Sequence, residues 1–143
     1  MLAGARRRLG AGALIVSALV ACGGPGSSGT RAATPTIGSR PSSPAVVGIV
    51  EPKSGATVTG STLHVVLSLE NATIVRQTST DIRPDQGHVH LYVNKVLVSM
   101  NYGLVQDLPV HKGTYVLKAE FVASDHAPFN PRVESSNVVF TVK

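Results

Sequence analysis

The sequence predicts an all-β domain, an antiparallel sandwich of about seven short strands, and three observations predict it. Apolar and polar residues alternate with period two in four separate segments, turn residues interrupt them at short intervals, and no segment sustains a 3.6-residue apolar period. Such alternation gives each strand one buried face and one facing water. About seven of these strands in the 99 residues from 45 to 143 suffice for two packed sheets.

Taken in order, residues 46–50 form a first, weaker strand, and Pro52-Lys53-Ser54-Gly55 and Gly60-Ser61 mark the turns behind it. Leu63, Val65, Leu67 and Leu69 then point inward, with His64, Val66, Ser68 and Glu70 outward. Residues 71–86 are long for a connection in a compact sandwich and are expected to hold an extra strand near Ile74 or a recognition loop. Val89, Leu91 and Val93 face the core in the next strand, which leaves His88, His90 and Tyr92 on the outer face. Asn94-Lys95 predicts a tight hairpin into a strand at 96–100, with a further weak strand near 102–105. Tyr115, Leu117, Ala119 and Phe121 alternate with Val116, Lys118, Glu120 and Val122, and Val138, Phe140 and Val142 close the domain. Val116, Val122 and Val139 are expected on the outer surface, where they would form an apolar docking patch.

The segment ahead of the domain has a different character. Arg6, Arg7 and Arg8 precede a 13-residue apolar stretch at 9–21, the layout of an export signal and too short for a bilayer core that needs about 20 residues. Leu19-Val20-Ala21-Cys22 resembles the lipobox of bacterial lipoproteins. That resemblance implies a signal peptide at 1–21, a diacylglycerol on the Cys22 thiol, and a protein held by lipid on the extracytoplasmic side of a membrane. Residues 23–44 contain 17 Gly, Pro, Ser or Thr among 22, the composition of a flexible linker, so the tether is expected over 22–44 and the domain over 45–143.

Charge and cysteine content then exclude several functions. The formal charge of +5 rests on Arg6, Arg7, Arg8, Arg31 and Arg40, because from residue 45 onward eight Lys or Arg balance eight acids. A neutral domain is not a nucleic-acid binder. Cys22 is the only cysteine, which rules out an intrachain disulfide, a thiol nucleophile within the domain, blue copper and Cys-ligated zinc. No nucleophile elbow, Ser-His-Asp order or phosphate-binding Gly loop is present, so no enzyme activity is expected.

Leu108-Pro109 followed by Gly113-Thr114-Tyr115 resembles the tyrosine corner of immunoglobulin-like and fibronectin type III sandwiches. The resemblance implies that Tyr115 opens strand F and bonds back to the preceding loop, that residues 133–143 are strand G, and that strands C and F are antiparallel neighbours. The start of C then lies beside the end of F, where Ser124-Asp125-His126 stands. His88, His90 and His126 should share one rim of one sheet.

Side chains at i and i+2 on a strand lie about 6.5–7 Å apart at Cα, near enough for two imidazoles to converge on one metal. With His126 they would form an open three-histidine site for copper or zinc, with Asp85 or Asp125 as a further ligand or as the acceptor for a ring N–H. His64 and His111 fall elsewhere, and Met100 reads as packing. A copper-zinc superoxide dismutase is excluded by the missing disulfide and by too few histidines for its bridged site. Gly87-His88-Val89-His90, the Leu108-to-Gly113 turn and Asp125-His126-Ala127-Pro128 together resemble a group of small exported bacterial domains of uncharacterised function, over roughly residues 85–143. The expected function is therefore a lipid-anchored binding module of the cell envelope, for an envelope protein or small ligand, with copper or zinc at the three histidines as the alternative.

Overall fold

The computed structural model describes residues 40–143; Cys22, the expected signal peptide and the linker up to residue 39 lie outside the described residues. The described chain is all-β, with ten strands in two sheets. One sheet has the order β1 (Val46–Glu51), β3 (Thr62–Glu70), β7 (Val105–Pro109). The other runs β2 (Ala56–Val58), β10 (Val138–Val142), β8 (Gly113–Ala123), β5 (Gln86–Val93), β4 (Thr73–Ile74), with β6 (Val96–Ser99) also on β5 and β9 (Pro128–Glu134) also on β8. Facing sheets with strands A, B and E on one side and G, F and C on the other make this an immunoglobulin-like sandwich.

Period-two alternation accounts for the core. Val47, Leu63, Val65 and Leu67 of one sheet and Val89, Leu91, Leu117, Ala119, Phe121 and Phe140 of the other form one buried cluster. Each large aliphatic or aromatic side chain so buried stabilises the fold by about 1.5–3 kcal/mol. Phe129 of β9 stacks on Phe121 with centroids 5.6 Å apart and closes the cluster at the end where β8 turns into β9. The hairpin between β5 and β6 turns at Asn94 and Lys95, both with positive φ, as the sequence predicts. Tyr115 donates its hydroxyl to the His111 carbonyl at 3.0 Å, the geometry of a tyrosine corner.

Three elements differ from expectation. The weak strand placed at 102–105 begins only at Val105, and residues 102–104 are loop. The last strand, expected over 133–143, is two strands, β9 and β10, separated at residues 135–137. Pro128 and Pro131 conceal β9 from a strand reading, and they are tolerated because β9 is an edge strand that pairs only with β8. β2, three residues in parallel register with β10, is too short to show a period. The extra strand near Ile74 is β4, parallel to β5.

Candidate metal centre

The site is assembled where β5 begins and β8 ends. β5 and β8 pair with Gly87 opposite Ala123, His88 opposite Val122 and His90 opposite Glu120. Gly87 has no substitute, because any Cβ there would collide with the Val122 carbonyl. The strands approach closely at this point, and the two histidines that follow are held against β8. His88 and His90 do take the face opposite Val89 and Leu91, yet that face is not a solvated rim: the histidines are 0% and 4% exposed.

What covers them is the long segment before β5. The Thr73 N–H bonds to the Asp85 carbonyl and the Val75 N–H to the Gly87 carbonyl, which lays the segment alongside β5. Further along, the Ser79 N–H reaches the Ser124 carbonyl, and Ser124 Oγ donates to the Ser79 carbonyl at 3.2 Å. The Tyr102 ring stands edge-on to His88, with centroids 5.3 Å apart. Val122 is buried as well, so of the three valines expected in an outer apolar patch only Val116 and Val139 are exposed.

His126 comes from the turn between β8 and β9, at φ 63°, a left-handed conformation uncommon for residues with a Cβ. The turn is closed by the His126 N–H to the Ala123 carbonyl at 2.9 Å and the Ala123 N–H to the Ala127 carbonyl at 3.0 Å. Arg40 clamps it from outside: Nη1 and Nη2 donate to the two Asp125 oxygens at 2.6 and 2.8 Å, Nη2 also to the Ala127 carbonyl and Nε to the Pro128 carbonyl. Arg40 and Pro41, which composition places in the linker, are thus bonded to the sandwich beside His126.

The three rings are neighbours. Centroids of His88 and His126 are 4.2 Å apart, of His90 and His126 5.6 Å, and of His88 and His90 6.3 Å. His90 Nε2 lies 3.3 Å from His126 Nδ1, and His126 Nε2 lies 3.2 Å from Thr78 Oγ1. His88 Nδ1 lies 3.0 Å from the Val75 carbonyl. A carbonyl only accepts, so Nδ1 carries the proton and Nε2 of the neutral ring is a bare lone pair. That Nε2 is the one buried side-chain nitrogen or oxygen among the described residues with no hydrogen-bond partner.

Burial favours the neutral form of His88 and His90. Burial pushes the His88 imidazole below its ordinary value, opposed in part by the Val75 hydrogen bond. Burial, with His126 and His88 nearby, lowers His90 to about 4. The carboxylates expected to help are engaged elsewhere. Asp125, held below the usual carboxylate range chiefly by its hydrogen bonds from Arg40, faces the guanidinium, and Asp85 has an exposed side chain. The acceptor that fixes the His88 ring is the Val75 carbonyl instead. Among the described residues no group of three or more His, Cys, Asp or Glu side chains is arranged so that it could hold a metal ion as it stands.

Glu120, beside His90 on the same face, is also buried, but both its oxygens are satisfied: Arg132 Nη1 donates to Oε1 at 2.7 Å and the Tyr92 hydroxyl to Oε2 at 2.9 Å. Burial and this acceptor push the Tyr92 phenol up to about 12. Arg40, Val75, Thr78 and Tyr102 carry no local signal in the sequence. Glu120 had one, since its strand parity puts it on the histidine face.

No protein-family model matches the chain, and no curated protein matches it significantly. A solved structure of Clostridium thermocellum CbhA fibronectin(III)-like modules is similar at 12% identity with a TM-score of 0.39, over 68% of this chain and 93% of that one.

Proposed function

We propose that this protein is a lipid-anchored binding module on the extracytoplasmic side of a membrane, whose ligand is a transition metal ion, copper or zinc, taken by His88, His90 and His126. The observation that carries the metal reading is the bare, buried His88 Nε2 beside the His90–His126 nitrogen pair. Two nitrogens sharing one metal at about 2.0–2.1 Å, with an angle between 110° and 120°, stand about 3.3–3.6 Å apart. His90 Nε2 and His126 Nδ1, hydrogen-bonded at 3.3 Å, already lie at that separation, and a metal would replace the proton between them, which moves to the other nitrogen of its ring. The third donor is His88 Nε2, whose ring centroid lies 4.2 Å from that of His126. The anchoring half of the reading is supported by the resemblance of Leu19-Val20-Ala21-Cys22 to a lipobox.

Full-length protein in detergent, titrated with copper(II) or zinc(II) and followed through its imidazole NMR signals, should show stoichiometric shifts at three histidines and none at His64 or His111. Unchanged signals with both ions, and with copper(I), would end the metal reading. Mass spectrometry of the mature N-terminus should find diacylglycerol on Cys22, and Cys22→Ala should release the protein from membranes.

A protein-docking reading has its own observation. β6, an edge strand, exposes Val96, Leu97 and Val98 in succession, followed by exposed Met100. Crosslinking from this strand in intact cells distinguishes docking from metal binding, since β6 lies outside the histidine cluster.

A further inference from the structure

The charges around the three rings define the class of metal more narrowly. Resting on the metal reading above, we infer that the site is built for a monovalent d10 cation, copper(I), rather than for zinc(II) or copper(II).

The donor set contains no anion. Asp125 gives both oxygens to the Arg40 guanidinium, and Glu120, the cross-strand neighbour of His90, gives both to Arg132 and Tyr92. Tyr92 spends its proton on that bond and is a phenol, not a phenolate. The side chain of Asp85 is exposed, and none of the three rings hydrogen-bonds a carboxylate. What remains is three imidazoles, two of them almost wholly buried.

Desolvating an ion costs free energy in proportion to the square of its charge, so a divalent cation is penalised about four times as heavily as a monovalent one in the same surroundings. Zinc in a three-histidine set completes its shell with a water or hydroxide in an open fourth position, which also supplies the missing negative charge. Here the space around His88 is occupied by the Tyr102 edge, the Val75 carbonyl and the His126 ring. A copper(I) ion is satisfied by three donors with no fourth. It would take the place of the hydrogen-bonded proton between His90 Nε2 and His126 Nδ1, 3.3 Å apart, that proton moving to the other nitrogen of its ring. The unpartnered His88 Nε2 in the adjoining ring is the third donor. The selection does not rest on sulfur, which the cluster lacks; it rests on charge and coordination number. Entry is from the side of His126 and Thr78, where the contact between the His126 ring and the exposed Thr78 hydroxyl has only to open.

Two arginines therefore act as positioning and charge-setting residues for this site. The experiment uses full-length protein in detergent under anaerobic conditions, with a bicinchoninate competition for copper(I), silver(I) as the redox-inert monovalent ion, and a chromogenic chelator for zinc(II). One copper(I) or silver(I) per chain is expected, bound at least about 100-fold more tightly than zinc(II). Zinc binding as tight as copper(I) or tighter overturns the monovalent assignment and leaves the metal-binding reading standing. No binding of any of these ions overturns both. Arg40→Met and Arg132→Met, each freeing one carboxylate near the rings, should shift the ratio toward zinc by about tenfold. If both lower the two affinities alike or change neither, the charge argument fails; because the arginines pair with different carboxylates, Asp125 and Glu120, misfolding of one variant leaves the other to decide.

Discussion

Glu120 and His88 are both buried polar side chains on the covered face of the β5–β8 pair, and the fold treats them in opposite ways. Both carboxylate oxygens of Glu120 are paired, one with a guanidinium and one with a phenol. His88 has its Nδ1 fixed by a backbone carbonyl and its Nε2 left with nothing. Burying a polar atom unpaired costs about 1–3 kcal/mol. A fold that completes one buried polar group and leaves its neighbour incomplete is holding that lone pair for something else, and a cation is the partner that a bare imidazole nitrogen takes best.

Removing each group tests the contrast. Glu120→Ala leaves the Tyr92 hydroxyl without its acceptor and Arg132 without its counter-charge, and urea unfolding should show a loss of about 2–3 kcal/mol. Acid comes next in size. Because His90 titrates at about 4 in the folded chain against about 6.5 unfolded, the unfolded chain takes up protons first as pH falls. The associated stability is present in full above about 6.5 and lost on the way down to about 4, by roughly 2 kcal/mol in metal-free protein, with His88 acting in the same direction. A denaturation midpoint that stays flat between pH 7 and 4 contradicts neutral, buried His88 and His90; Asp125, held low by Arg40, weakens the fold only at still lower pH.

Smaller effects on stability carry the sharper contrast with function. His126→Gly relieves a left-handed backbone and should leave stability within about 1 kcal/mol of the parent, or raise it, while metal binding weakens. His88→Phe removes the unpaired nitrogen but also the Nδ1 hydrogen bond to the Val75 carbonyl, two opposed changes of similar size; it should change stability by less than about 1 kcal/mol while abolishing the metal-dependent NMR shifts. If His88→Phe were as costly as Glu120→Ala, the ring would be a structural element and the comparison would collapse.

The alternation of Val89 and Leu91 with His88 and His90 was enough to place the two histidines on one face; that β8 lies beside β5 and His126 beside both was implied only by the resemblance of the segment around Tyr115 to a tyrosine corner. The face is a property of a strand's period of two, which any short window displays. Which of those faces meets water is a different kind of fact. Val75 bonds His88 and Ser79 bonds Ser124 from the segment before β5, Tyr102 arrives from the loop before β7, and Arg40 reaches 85 positions along the chain to Asp125. No window of sequence contains such contacts. Alternation therefore told which way His88 points, but its burial, its tautomer and the neutralised carboxylates around it arise from chain crossings between distant segments, and on these the chemistry of the site depends.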